Sequence, residues 1–159
     1  MLKKLPLLLI LILLLTAACS QNPTLEDAVS ARYQVGDEWT YRTRPGEPLS
    51  TFLVTKIDAS TVDDEEQIII HVAITDLAID HPEGGQVTAV PHMPFTEAAL
   101  NRSALQPFNV IDPIPPEYLD AYQNWRTRYE TGDAVVFDVT IAHALDSLQA
   151  TIQSTSPSP

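Results

Sequence analysis

Alternation of apolar and polar residues predicts β-strands through the first half of the chain. The alternating segments are 38–44, 51–57, 67–77 and 86–90, and turn-forming residues separate them. In the third segment the apolar side chains recur at every second position, so they share one face. They are Ile68, Ile70, Val72 and Ile74. The pattern predicts a meander of antiparallel strands with one buried face.

Beyond residue 95 the apolar residues recur at helical spacing instead. Thr96 is a candidate N-cap for a helix that starts at 97–100. A second helix is predicted from Glu117, because aromatic residues then recur at i, i+4, i+7 and i+11 along one side. These are Tyr118, Tyr122, Trp125 and Tyr129. Gly132 is the candidate C-cap of this helix.

The end of the chain predicts one more strand and one more helix. Residues 134–139 are predicted as the strand, and Thr140 can cap the helix. The inward residues of this helix are Ile141, Leu145, Leu148 and Ile152. Strands followed by helices predict an α+β fold, with about four to five antiparallel strands packed by two to three helices from the second half.

Polar segments that contain proline flank the predicted domain, which spans residues 32–152. Residues 19–31 are predicted as a flexible tether, with one helical turn that starts at Thr24. Residues 153–159 are rich in serine and proline and are predicted to be disordered. The chain therefore predicts a single folded domain.

An apolar run near the N-terminus precedes the chain's only cysteine. Lys3 and Lys4 come before this run, which spans residues 5–15, and small residues at 16–18 separate it from Cys19. The run is shorter than the roughly 20 apolar residues that a membrane-spanning helix needs. Its order of charge, apolar run and small residues is typical of a secretion signal.

The sequence Thr16-Ala17-Ala18-Cys19 resembles the lipobox of bacterial lipoproteins. The resemblance implies that residues 1–18 are a lipoprotein signal peptide and that Cys19 becomes an acylated N-terminus. It also implies a lipid anchor in the bacterial cell envelope, with Ser20 favouring the outer membrane. The alternative is an ordinary secretory cleavage site, since Thr-Ala-Ala also satisfies its small-x-small rule. That alternative would leave a lone reactive thiol on an exported protein.

Residues 35–47 and 91–95, VGDEWTYRTRPGE and PHMPF, resemble a group of small secreted or lipid-anchored bacterial proteins of uncharacterised activity. This resemblance covers most of the predicted domain. It implies one compact domain and carries no catalytic or binding residue with it.

The strongly acidic composition limits the class of partner. The chain has 9 Lys and Arg against 21 Asp and Glu, a net charge of −12. Removal of Lys3 and Lys4 with the signal leaves 7 against 21, or −14. Such a charge disfavours nucleic acid and anionic lipid, and it permits binding to a basic protein or a cation. The alternative role is solubility of a monomeric domain.

Arg42 and Arg44 lie two residues apart on one face of the first predicted strand, next to a Pro-Gly loop. Two guanidinium groups at this spacing are candidates to bind a carboxylate or a phosphate. In a chain this acidic, the alternative is that they pair with its own acids, for example Glu38 or Glu47.

Four histidines raise the possibility of a metal site or a general base. They are His71, His81, His92 and His143. No pair has the spacing of a zinc motif and no cysteine is left as a partner, so we predict no metal and no cofactor. His71 falls on the strand face opposite Ile70, where it is either exposed or packed under a helix. His92 is the best candidate for a base, for instance with Ser103 and an acid, although the chain has no G-x-S-x-G motif.

The aromatic stripe of the second predicted helix has two interpretations. Tyr118, Tyr122 and Trp125 can line a groove for a sugar or a peptide, or they can form the face that packs on the sheet.

The sequence as a whole therefore predicts a lipid-anchored envelope protein with a non-catalytic binding domain, whose partner it does not identify. Two alternatives stay open. One is a small envelope hydrolase that uses His92. The other is an acidic inhibitor or immunity-type protein that acts on a basic enzyme through the acidic turn at 63–66.

Overall fold

A computed structural model describes residues 23–47, 49–62 and 65–155, and within these ranges the chain forms eight strands and three helices. The strands are β1 (Thr24–Asp27), β2 (Asp37–Tyr41), β3 (Thr51–Val62), β4 (Glu65–Thr75), β5 (Ile79–Asp80), β6 (Gln86–Val87), β7 (Val90–Thr96) and β8 (Ala104–Val110). The helices are α1 (Glu97–Ser103), α2 (Pro116–Tyr129) and α3 (Ile141–Ser154). The predicted α+β class is confirmed.

Six of the described strands form one antiparallel sheet, in the order β7-β4-β3-β2-β8, with β1 added beside β3. The long strands β3 and β4 lie at its centre. On the side of β3 away from β4, two strands pair with different parts of it. β2 pairs with residues 51–53 and β1 pairs with residues 58–61. The sheet is thus wider than the sequence predicts. A separate ribbon joins β5 to β6.

One face of the sheet carries the larger apolar core. Ile70, Val72 and Ile74 of β4 are fully buried there, with Ile68 partly buried at the end of the row. Their predicted common face is confirmed. Helices α1 and α3 cover this face with Leu100, Ile141, Leu145 and smaller residues.

The opposite face of the sheet is buried as well, where the alternation predicts a single buried face. Helix α2 lies over it and packs Tyr122, Trp125 and Tyr129 against Ile69 and Leu25. The aromatic stripe is therefore first a packing face, because three of its four rings are needed to cover β4. His71 lies on this side and is completely buried under α2.

The two helix N-caps that the sequence predicts, Thr96 and Thr140, are confirmed. Thr96 accepts a hydrogen bond from the backbone N–H of Ala99, and Thr140 accepts one from that of His143. Helix α2 begins with Pro116 and ends at Tyr129, and Gly132 then reverses the chain with a positive φ of 82°. Among the described residues no helix is long and apolar enough to cross a membrane.

The predicted tether is wrong in its second half. Residues 24–27 form β1, where a helical turn is predicted, because their backbone pairs with residues 58–61 of β3. The predicted tail also begins too early, since α3 continues through Gln153 to Ser154. Residues 19–22 and 156–159 lie outside the described residues.

Strand boundaries also differ from prediction, since β2 ends at Tyr41 and not at residue 44, and β3 continues to Val62 and not only to Ile57. Glu65 and Glu66 belong to β4 and not to a turn, while Asp63 and Asp64 lie outside the described residues. Segment 86–90 is divided between β6 and β7. Segment 134–139 forms only one bridge, in which Phe137 pairs with Phe95 in parallel orientation.

Candidate functional site

Two histidines meet on the face of the sheet that α2 covers. In the register between β4 and β7, His71 lies opposite Pro94, so His92 projects from the same face two residues away. The two imidazole rings stack with centroids 5.2 Å apart and an angle of 19° between their planes. Nδ1 of His71 lies 3.0 Å from Nε2 of His92, which is a hydrogen-bond distance.

A buried carboxylate lies behind this pair. Asp58 of β3 is 1% exposed, and its Oδ2 atom lies 3.3 Å from Nε2 of His71. The hydroxyl of Tyr122 donates a hydrogen bond of 2.6 Å to the same oxygen. Nζ of Lys56 lies 3.8 Å from the other oxygen, Oδ1. Asp58, His71 and His92 thus form a polar chain in the layer between the sheet and α2.

The surroundings of this polar chain keep Asp58 ionised and both imidazoles neutral. Burial opposes ionisation of Asp58, but the neighbouring imidazole of His71 and the hydrogen bond from Tyr122 outweigh it, and the pKa of Asp58 is lowered. Burial lowers the pKa of His71, although Asp58 partly offsets it. Burial, with a smaller contribution from His71, lowers the pKa of His92 to about 3. Burial also raises the pKa of Tyr122, which therefore stays a hydroxyl donor.

Of the three residues of the polar chain, His92 lines a cavity. A groove of about 590 Å³ lies between β7, α2 and segment 133–137, and we call it the His92 groove. Its lining residues are Pro91, His92, Pro94, Ala121, Asn124, Trp125, Arg128, Asp133, Ala134, Val135 and Phe137. Apolar walls with a few convergent polar groups are typical of ligand sites.

Hydrogen bonds hold the outer wall of the His92 groove in place. The indole Nε1 of Trp125 donates to the carbonyl oxygen of Val135 at 3.1 Å. The backbone of Phe137 bonds to both Pro94 and Thr96 of β7. Segment 133–137 is therefore tied to α2 at Asp133 and Val135 and to the sheet edge at Phe137.

Polar groups gather at the α2 side of the groove. Asn124 and Arg128 lie one turn apart on the helix, and both are exposed. The guanidinium of Arg128 donates to the backbone carbonyl of Asp133 at 2.9 Å. Among the described residues, Arg128 makes no ion pair with an acidic side chain. The groove thus offers a ligand an amide and a cation next to its apolar wall.

A smaller cavity of about 300 Å³ lies on the other side of β7, against α3. His92 and Phe137 line it too, together with Ser147 and Thr151. Both hydroxyls donate to helix carbonyls, from Ser147 to His143 and from Thr151 to Ser147. Within the described ranges, His92 has no serine or threonine hydroxyl at hydrogen-bond distance.

The aromatic site residues named from sequence have different roles. Trp125 lines the His92 groove, and Tyr122 lies beneath it as the partner of Asp58. Tyr118 is partly buried at the start of α2 and does not line the groove. The proposed partnership of Ser103 with His92 is wrong, because Ser103 donates to the carbonyl of Ala99 and accepts the N–H of Ile141.

Arg42 and Arg44 do not form a shared fork. Arg44 pairs with Glu47 at 2.9 Å and also bonds to Gln149, which agrees with the alternative of internal pairing. Arg42 is exposed and donates to the backbone carbonyl of Arg102. Both arginines line a cavity of about 150 Å³ that also contains the carboxylate of Asp146.

Asp58 is the site residue that the sequence did not reveal. Its one signal is weak, because Asp58 is one of two charged residues in β3, together with Lys56. The described residues contain no group of three or more His, Cys, Asp or Glu side chains placed to hold a metal ion.

Comparison with known proteins gives no further information about the function of this site, since no family model, curated protein or solved structure matches the chain significantly.

Proposed function

We propose that this chain is a lipid-anchored protein of the bacterial cell envelope, sorted to the outer membrane, whose domain binds a ligand in the His92 groove. The groove itself is the observation that carries the binding proposal. It is concave, its volume is about 590 Å³, and its wall is mainly aromatic and aliphatic. Volumes of this size and such linings are those of small-molecule and peptide sites.

The polar groups of the groove support a binding role over a purely structural one. His92, Asn124, Arg128 and Asp133 converge on one apolar cleft from three different elements. A cleft that existed only as a packing defect would not need such groups. Few and well-placed polar groups are what fix the orientation of a ligand in an apolar site.

The anchor proposal rests on the sequence around Cys19, and the position of β1 adds a geometric consequence. Because β1 starts at Thr24, only residues 20–23 separate it from the cysteine. At about 3.4 Å per residue, the chain from Cys19 to Thr24 reaches at most about 17 Å. A lipid on Cys19 would therefore hold the domain close to the membrane surface.

Fragment screening by NMR tests the binding proposal. The isotope-labelled domain that starts at Ser20 is titrated with a library of small neutral aromatic and polyol fragments. We expect hits whose chemical-shift changes centre on Trp125, His92 and Phe137. The double substitution Asn124→Ala and Arg128→Ala should weaken those hits by about tenfold, since it removes two polar groups from the groove.

The matched control changes neighbouring exposed residues of α2 that do not line the groove. Gln123→Ala and Thr127→Ala together should leave the affinities unchanged. Hits that map elsewhere, or that weaken equally in both double variants, would contradict the proposal.

A second candidate function is hydrolysis with His92 as general base. The polar chain from Asp58 through His71 favours it, because a carboxylate behind an imidazole orients a catalytic base. The lowered pKa of His92, about 3, opposes it, because it makes this imidazole a weak base at neutral pH. Water would then be the nucleophile, as no hydroxyl side chain bonds to His92 within the described ranges. Turnover of a neutral nitrophenyl ester that His92→Gln abolishes and His143→Gln preserves would support it. Equal background rates in all three proteins would exclude it for that substrate class.

A further inference from the structure

The two ring nitrogens of His92 have different surroundings. Nε2 points to Nδ1 of His71 at 3.0 Å. Nδ1 has no hydrogen-bond partner among the described residues, and it is not one of the enclosed polar atoms that lack one. Solvent therefore reaches Nδ1, on a residue that lines the His92 groove.

The contact between the two histidines allows only two proton arrangements. A neutral imidazole carries one N–H and one lone pair, so one ring must donate and the other must accept. If His71 donates from Nδ1, its Nε2 lone pair faces Asp58. If His92 donates from Nε2, the proton of His71 is on Nε2 and faces Asp58.

Asp58 selects the second arrangement. Its Oδ2 atom lies 3.3 Å from Nε2 of His71, and a lone pair facing a carboxylate at that distance is repelled. An N–H there is attracted by the charge of the carboxylate, even though it is not aligned for a hydrogen bond and Nε2 has no hydrogen-bond partner among the described residues. Because both groups are buried, the difference between repulsion and attraction is large.

The carboxylate has no proton of its own to offer. Tyr122 already donates to Oδ2 at 2.6 Å, and Lys56 lies 3.8 Å from Oδ1. Both contacts favour the ionised form, which only accepts hydrogen bonds. The N–H must therefore come from His71.

We propose that Asp58, acting through His71, holds His92 as the Nε2–H tautomer, so that His92 offers an unprotonated Nδ1 to a hydroxyl or amide N–H of the ligand. The inference rests on the proposed function and names the ligand chemistry of the same groove. Asp58 and His71 are positioning residues here, since neither lines the groove.

The ligand group that this site favours is a neutral donor. Burial disfavours a positive charge on His92, and it disfavours a cationic donor next to His92 for the same reason. The groove wall adds no preference for a cation, since Arg128 and Asp133 both line it and carry opposite charges. A hydroxyl or an amide satisfies Nδ1 without bringing a charge into the cleft.

Long-range ¹H–¹⁵N correlation spectra of the histidine side chains at pH 7 test the tautomers without any ligand. We expect both His71 and His92 of the wild-type domain to carry their proton on Nε2. In Asp58→Val the acceptor is gone, so the proton of His71 should move to Nδ1 and His92 should change to the Nδ1–H form. A wild-type spectrum with Nδ1–H at either histidine overturns the inference, and that spectrum is decisive even if Asp58→Val fails to fold.

Phenol and anisole, which differ by one hydrogen-bond donor, test the ligand chemistry. Phenol should bind the His92 groove about three- to tenfold more tightly than anisole, the range that one net hydrogen bond supplies. His92→Phe should abolish this preference. Equal affinity of the two probes for the wild-type groove overturns the inference and leaves the proposed function standing. Failure of both probes and of the fragment library to enter the groove, with the tautomers as expected, contradicts the proposed function instead.

Discussion

The imidazoles of His71 and His92 face each other across two neighbouring strands, with Nδ1 of the first 3.0 Å from Nε2 of the second. The first ring is completely buried, and the second is partly exposed where it lines a groove. This contact joins a buried carboxylate to a surface cleft. It gives the domain a polar site inside a layer that α2 otherwise fills with aromatic rings.

The two histidines should make stability fall as the pH is lowered. Their pKa values are lowered in the folded state, so below pH of about 6.5 the unfolded chain binds protons that the folded domain does not. The free energy of unfolding should then decrease by up to about 1.4 kcal/mol per pH unit for each imidazole. For His92 the loss continues to pH of about 3. The pKa of Asp58 is lowered too, so its stabilising contribution is present above its unfolded pKa and disappears only in stronger acid.

Urea unfolding between pH 7 and pH 4.5 measures this dependence. His92→Gln should make the free energy of unfolding depend less steeply on pH. His143→Gln, on the exposed surface of α3, should leave that dependence as in the wild type. A wild-type curve that is already flat between pH 7 and pH 5 would count against neutral buried histidines.

Ile70 tests the larger core. It is completely buried, with Phe95 and Ile57 as its partners on the two neighbouring strands. Ile70→Asp should unfold the domain, because an unpaired charge there costs several kcal/mol against a total stability of about 5–15 kcal/mol. Ile70→Val is the matched control and should cost only about 0.5–1.5 kcal/mol. Thermal unfolding is measured by circular dichroism. A melting temperature of the aspartate variant close to that of the wild type would contradict the burial of Ile70.

Much of this fold is predictable because its signals are local. The alternation of β4 and the threonine caps at Thr96 and Thr140 depend only on neighbouring residues, and all three are confirmed. β1 and β8 are different. Four residues of β1 and the mostly exposed residues of β8 carry no alternation, and their pairing with β3 and β2 decides their structure.

The site shows the same division between local and non-local information. His92 and Trp125 can be named from their residue types and spacing, and both line the groove. The connection from Asp58 to His92 crosses three strands, and an irregularity between Val54 and Lys56 shifts the register of β3 against β4. No spacing within the sequence encodes that alignment, so Asp58 emerges only from the structure.

The proposed anchor predicts where the protein is found in the cell. Cys19→Ala should release the protein into the soluble fraction or leave an uncleaved precursor, because a thiol is required for acylation. Globomycin, which blocks lipoprotein signal cleavage, should make the wild type accumulate as precursor. Membrane fractionation and mass spectrometry would refute the anchor if the mature wild-type protein were soluble without detergent and carried an unmodified thiol.

The acidic charge supports a separate proposal of a basic protein partner, such as an enzyme that this chain inhibits. Glu65 and Glu66 are exposed at the start of β4, next to Asp63 and Asp64 in the sequence. Retention of a basic envelope protein on the immobilised domain should fall steeply with salt, because exposed charges are screened within about 8 Å at physiological ionic strength. Substituting all four acids by Asn or Gln should slow capture and leave the fold intact. If no basic protein is retained at low salt, the acidic charge serves only to keep the domain soluble.

Diethyl pyrocarbonate labelling tests most directly whether a ligand occupies the His92 groove. The reagent acylates an unprotonated imidazole nitrogen that solvent can reach, so it should modify His92 and the exposed His143 and spare the buried His71. A fragment bound in the groove should slow modification of His92 at least tenfold and leave the rate at His143 unchanged. Equal rates at His92 with and without the bound fragment, or equal protection of both histidines, would contradict the account.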